Sequence, residues 1–185
     1  MLDWFFYLNN KPMSKLTTGA VSVDAFSGTG NHINGCLSGS VPNQGPIPPG
    51  DYYIVDRPTG GRLGKIKDRF TGKRDWFALF ADDDEIDDWT SWMLVDRGNF
   101  RLHPKGPRGI SEGCVTIEKR VDFEKIRGIL LNSKPEAIPS RQDLLAYGKL
   151  HVKSNCFAPS GPSAPDAISS GTLIAYGTRH VKSKI

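Results

Sequence analysis

No run in this chain approaches the ~20 apolar residues that a membrane-spanning helix requires, so no membrane partner is expected. Cysteine is scarce. Cys36, Cys114 and Cys156 are too few for a disulfide framework, and Cys36 and Cys156 read either as a pair or as two unpaired thiols. Metal-ligand spacing is missing too. His32 and Cys36 stand four apart, but no second pair completes a zinc site. The acidic run Asp82–Asp88 lacks the Asp-x-Asp-x-Asp-Gly spacing and the closing Glu of a calcium loop, and reads as a solvated loop. No Lys/Arg run with interleaved aromatics accompanies the mild net charge of +4, so no nucleic-acid partner is expected. Met1–Leu8 is apolar, but Asp3 interrupts it and it has neither a basic flank nor a cleavage site, so it does not read as an export leader.

What the chain does contain points to a mainly β domain. Its 185 residues suffice for one domain with a buried core, plus a tail. Twenty Gly and thirteen Pro favour turns and short strands over long helices. Trp4–Leu8, Leu16–Phe26 and Tyr52–Val55 are rich in β-branched and aromatic residues and are bounded by Asn, Gly and Pro, so each is expected as strand. Asn9-Asn10 is expected as a hairpin turn. Trp76–Phe80 and Trp92–Val95 are further apolar runs of strand length. A helix is expected over 122–131, where residues 123, 126, 129 and 130 form one apolar face and Asp122 stands ready to cap it. It should pack on the sheet and buttress the segment before it.

Near the C-terminus Ala146–Ser154 recurs as Ala175–Ser183, with seven of nine positions identical at a spacing of 29. The stretch between, 155–171, is rich in Ser, Pro, Ala and Gly and reads as a linker. Two copies are too few for a solenoid. The first copy is expected as the last strand of a domain over 1–153, with 154–185 a linker and a tail that repeats that strand. The second copy is either dispensable for folding or competes for the first copy's slot and exchanges between molecules. His151 and His180 belong to the repeat and read as strand-surface residues rather than ligands.

The chemistry concentrates in Phe100–Val115. His103 and Cys114 are eleven positions apart, joined by a Gly/Pro-rich segment able to fold back on itself, with apolar residues on both flanks. Two strands with the reactive groups on their connection suit that pattern. Cysteine attacks as thiolate and needs a base or positive charge nearby. His103 supplies the base and is expected to draw the thiol pKa below its ordinary ~8.5, while Lys105 and Arg108 add positive field. Gly113 removes the Cβ that would crowd a substrate carbonyl and frees backbone N–H groups for an oxyanion site. Together these residues read as a cysteine acyltransferase or hydrolase rather than a buried thiol beside a surface histidine.

The same residues resemble a known signature. His103-Pro-Lys-Gly106 followed by Ser111-Glu-Gly-Cys-Val115 is similar to the active site of L,D-transpeptidase-type enzymes, above all the branch delivered as antibacterial effectors by the type VI secretion system. Gly45–Val55 resembles the family's Pro-x-Gly-x-Tyr-x-Ile strand, and Phe26-Ser-Gly28 and Tyr147-Gly148 fit as well. Glu112 stands where the larger family has a second His, and Thr116 where many members have Asn.

The resemblance implies an L,D-transpeptidase-like β-sandwich or partly closed barrel with one or two short helices. It implies processing of peptidoglycan stem peptides through a thioacyl-enzyme on Cys114, by L,D-carboxypeptidase or L,D-transpeptidase (D-amino acid exchange) chemistry. His103 is then the general base, and Gly113 and Cys114 offer backbone N–H groups to the oxyanion. Ser111 orients the loop or donates to the oxyanion. Arg101, Lys105 and Gly106 are the substrate-binding candidates, although Arg101 and Lys105 also read as plain solvated cations. No metal or organic cofactor is needed. The implied partners are the stem peptide, the type VI secretion machinery and a cognate immunity protein. The implied route is contact-dependent injection and action in the target-cell periplasm, which agrees with the missing leader. A housekeeping cysteine peptidase and a non-catalytic wall-binding module are the rival readings.

Overall fold

In the computed structural model, residues 1–57 and 75–154 are described. Strand β1 (Leu2–Leu8) buries Trp4, Phe6 and Leu8 in strict alternation, as the two-residue repeat of a strand with one core face requires. A loop holding Asn10 at φ 55 leads into β2 (Ser14–Thr18), which Gly19 and Ala20 join to β3 (Val21–Phe26). The Leu16–Phe26 run is therefore a hairpin rather than one strand. Gly19 at φ 48 takes the left-handed conformation that a two-residue loop needs at its first position.

Strands β4 (Gly50–Asp56), β5 (Phe77–Ala81), β8 (Arg101–Pro104), β9 (Val115–Ile117), β10 (Glu136–Ile138) and β11 (Arg141–Ser154) complete the main sheet. Eight strands run in the order β1-β2-β3-β9-β8-β5-β4-β11, and β11 returns to pair with β1 in parallel from Leu2↔Gly148 to Leu8↔Ser154. The result is a closed β-barrel with β10 appended to β11, the barrel form of the expected mainly β fold. Gly148 is required at the seam, since a Cβ there would lie 2.9 Å from the Leu2 carbonyl oxygen and against Trp4.

Between β5 and β8, β6 (Trp89–Trp92) and β7 (Val95–Gly98) form a separate two-stranded hairpin. The apolar run Trp92–Val95 is thus the tip of a hairpin and not a strand. Met93 (φ 48) and Leu94 (φ 66) form its turn, and Leu94 is 82% exposed. The preceding acidic segment is not merely solvated. Asp82 accepts from Lys149, Asp83 from Thr90, and Ile86 is buried against the outer face of β4 and β5.

Helix α1 (Arg120–Asn132) is the one α-helix among the described residues. It begins two residues before the expected start, with Lys119 at the N-cap, so Asp122 lies in the first turn, where its charge suits the helix dipole. Phe123, Ile126 and Leu130 are buried in the same cluster as Trp4, Phe6 and Leu102. The helix touches β8, β9 and β11, which stand on opposite sides of the barrel order, so it lies across the barrel. No helix among the described residues is long and apolar enough to cross a membrane.

The first repeat copy forms the second half of β11, paired with both β1 and β4. The second copy, His180 and Cys156 lie outside the described residues. Cys36 is disulfide-bonded and Cys114 is a free thiol.

Candidate active site

Three strand pairings assemble the cleft. Antiparallel register sets Phe77 opposite Leu102 and Ala78 opposite Arg101, while parallel register sets Leu102 beside Val115 and His103 beside Thr116. Side chains alternate faces, so Leu102, Val115 and Ile117 point into the core and Arg101, His103 and Thr116 point away from it. Trp76, one residue before β5, falls across from His103, and Cys114 stands at the entry to β9. Parallel neighbours joined by a short connection force the segment between them to arch over the barrel and return. That arch, with Trp76, His103, Ser111, Cys114 and Arg120, lines a cleft of about 590 Å³.

His103 is held from both sides. Its ring stacks on Trp76 with centroids 4.1 Å apart and planes 17° apart, and the Arg57 guanidinium lies 5.9 Å from the Trp76 ring. Its Nδ1 lies 2.8 Å from the Pro104 carbonyl oxygen, and a carbonyl only accepts, so the network assigns the proton to Nδ1. Nε2 is then the unprotonated ring nitrogen, with Thr116 Oγ1 at 3.4 Å.

Cys114 is a resting thiol. Burial pushes it up to about 11, with Glu112 and Asp88 adding to the rise, against the backbone N–H and charge of Arg101. The expected depression of this thiol is therefore not found, because dry surroundings outweigh the nearby cation. Its Sγ donates weakly to the Asn99 carbonyl oxygen at 3.9 Å.

The residues around it fix the turn. Gly113 has φ +118, and a Cβ there would lie 2.7 Å from Arg97 Nη2 and 2.9 Å from the Phe100 ring, so both backbone and space demand glycine. Ser111, buried, donates from Oγ to the Cys114 carbonyl at 2.6 Å and spans the turn. Ser27 Oγ donates to the Gly113 carbonyl at 3.3 Å and accepts from Ile47 N–H at 2.8 Å. Phe26-Ser-Gly28 thus braces the nucleophile turn from β3.

The basic candidates differ in what they already hold. Arg101 is clamped by both oxygens of Asp88 at 2.5 Å, and Lys105 pairs with Glu118 at 2.7 Å. Arg108 is exposed on the arch and makes no ion pair among the described residues. Gly106 lines the cleft, where an added Cβ would meet open space. His32 bonds to Ser38, and no cluster of three His, Cys, Asp or Glu side chains suited to a metal occurs among the described residues.

This cleft lies within a recognised domain. A family model described as the Tlde1 domain matches residues 21–141. The chain belongs to the Tlde1 domain family. That family is one of type VI secretion, L,D-transpeptidase-like effectors. No curated protein and no solved structure matches the chain significantly. The Tlde1 match opens with β3 and closes on the first residue of β11, so it holds the whole cleft and α1 but neither β1 nor β2.

Three site residues escape a reading of the sequence. Trp76 is visible only as the start of an apolar run, and its place over His103 depends on β5–β8 register. Asn99 contributes its backbone carbonyl to Cys114 and its side-chain oxygen, at 3.5 Å, to Arg101. Arg97 lies in a short polar stretch with no local pattern at all.

Proposed function

We propose that this chain is an antibacterial effector that cleaves or exchanges the terminal D-Ala of peptidoglycan stem peptides, with Cys114 as nucleophile and His103 as base. One observation carries the reading: the register of β5, β8 and β9 gathers Trp76, His103 and Cys114 in a single cleft, with Thr116 buried against His103. The place of action is the target-cell periplasm, and a cognate immunity protein covers the cleft in the producing cell.

The substrate carbonyl, between the L-centre of the third-position diamino acid and D-Ala, lies beside Cys114. A thiol near 11 is ionised to only about one part in ten thousand at pH 7, a penalty of about 5 kcal/mol if paid in advance. Proton transfer during attack avoids it. His103 Nε2 takes the thiol proton as the sulfur–carbon bond forms, and the carbonyl oxygen gains the electron pair. Backbone N–H groups of Gly113 and Cys114 receive that oxyanion. Collapse breaks the carbon–nitrogen bond, His103 returns the proton to the leaving amine, and D-Ala departs from a thioester. Water then regenerates the enzyme as a carboxypeptidase, and a D-amino acid gives exchange. Lys105 and Gly106 line the approach for the substrate carboxylate, while Arg101 acts through its field at Cys114.

The raised thiol also suits a second reading, a wall-binding module that never uses Cys114 chemically. Mass spectrometry of muropeptides separates the two. Wild-type protein should convert tetrapeptide fragments to tripeptides or D-amino-acid-exchanged products, and Cys114→Ala should lose that conversion by several orders of magnitude while keeping its fold. Equal turnover by Cys114→Ala would end the cysteine mechanism, and wall binding with no turnover by either protein would favour the module.

A further inference from the structure

Arg97, on β7, is 4% exposed. Its guanidinium donates to the carbonyl oxygens of Gly39, Gly45 (3.1 Å) and Pro46 (3.4 Å) and lies 5.5 Å from the Phe100 ring. These acceptors are all neutral. Among the described residues no carboxylate pairs with it, in contrast to Arg101, whose charge Asp88 already balances. A buried cation held by neutral dipoles alone is costly, and buried charges are ordinarily paired. Its surroundings therefore favour an anion nearby.

The nucleophile turn is where one forms. The closeness of Arg97 Nη2 to the Cβ position of Gly113 packs the guanidinium against the residue immediately before Cys114. Burial pulls the Arg97 pKa down, while Tyr52 and Cys114, as negative charges, pull it back up. The other charges acting on the thiol are Arg101, Glu112 and Asp88, while Lys105, Arg108 and Arg120 line the same cleft with His103. Arg101 favours the thiolate although Asp88 offsets part of its charge, and Glu112 opposes any anion.

We propose that Arg97 is a positioning residue whose buried, carboxylate-free charge is the resident counter-ion for the negative charge that develops at Cys114 as its proton leaves. The inference rests on the cysteine reading above. The neutral carbonyls of the 39–46 loop hold the guanidinium in place without neutralising it. A carboxylate in their position would stabilise the resting protein more but would quench the field at the sulfur. The arrangement gives up stability to keep a charge available where the reaction needs it.

Alkylation of Cys114 in the full chain tests this without any substrate. Thiolate reacts, so at a fixed pH near 8 the rate with neutral iodoacetamide follows the thiolate fraction. The ratio of rates with anionic iodoacetate and iodoacetamide follows the local positive charge and is insensitive to access, the two reagents being nearly the same size. Arg97→Met should slow iodoacetamide by about tenfold, the loss expected when an opposite charge packed on the residue next to the nucleophile is removed. It should also lower the iodoacetate ratio several-fold, whereas Arg97→Lys should retain most of both. An unchanged ratio in a folded Arg97→Met protein would overturn the proposal, as would equal losses in the Met and Lys variants. Arg97→Gln, which keeps donors for the loop carbonyls without the charge, replaces the Met variant if that fails to fold, with the same expectation. Failure of all three to fold would make Arg97 a structural staple only. None of these outcomes bears on whether Cys114→Ala loses muropeptide turnover, so the two readings fail separately.

Discussion

Gly113 shows how one position can carry both backbone and electrostatic constraints. Its φ of +118 is a region that L side chains rarely adopt, and the space a Cβ would fill belongs to Arg97 and Phe100. The Gly113 carbonyl is also held by Ser27, so the turn cannot simply rotate away. Gly113→Ala is therefore expected to cost about 2–4 kcal/mol, from strain and overpacking together. Thermal unfolding should show a clear drop in midpoint, and Cys114 alkylation should change as the sulfur is displaced. A variant with wild-type stability would mean that the turn has a second, unstrained arrangement.

At the scale of elements, the β6–β7 hairpin is the most unusual piece. Two-residue hairpin loops with positive φ at both positions favour Asn-Gly, because bulky side chains are strained there. This chain has Met93 and Leu94 instead, both in the left-handed region and Leu94 largely exposed. Replacing them together (Met93→Asn with Leu94→Gly) should stabilise the protein by about 1–2 kcal/mol, seen as a rise of several degrees in the unfolding midpoint. A fall in stability would show that the two side chains make contacts worth more than the strain. The same hairpin carries Arg97 inward, so its tip and its base serve different ends.

For the whole molecule the decisive event is closure of the barrel, when β11 pairs with both β1 and β4. His151 sits at that seam, with Nδ1 2.8 Å from Asp51 on β4 and Nε2 3.1 Å from Asp3 on β1, and it stacks on Phe5. Burial alone would raise the Asp51 pKa, but the hydrogen bond and charge of His151, with Lys153 and Lys149, hold it below 3.8. A carboxyl depressed in the folded state contributes stability that is fully present above its unfolded value and is lost as pH falls through the folded one. Asp51→Asn should thus lower stability at neutral pH by less than about 1 kcal/mol, since the pair is partly exposed and screened. The variant should also lose less than the wild type on going from pH 5 to pH 2. Parallel acid limbs in the two melting-temperature profiles would show that Asp51 has no part in acid sensitivity.

Much of this was readable from local pattern. Alternation in Trp4–Leu8, the apolar face of 123, 126 and 130, and the Gly-Cys turn after a Gly/Pro-rich segment depend on neighbours in sequence, where stereochemistry acts directly. The left-handed glycine at position 19 and the hairpin tip at Met93-Leu94 were less legible, since apolar residues read as strand whatever their φ. The Asp82–Asp88 run read as solvated because its partners, Lys149 and Arg101, are remote in sequence. Three features belong to the tertiary structure alone. Strand register stacks Trp76 on His103, burial raises the Cys114 thiol pKa, and a polar residue in a short hairpin becomes the buried cation against Gly113. Desolvation is a property of everything that surrounds a group, and for Arg97 and Cys114 those surroundings come from strands and loops far apart in the chain.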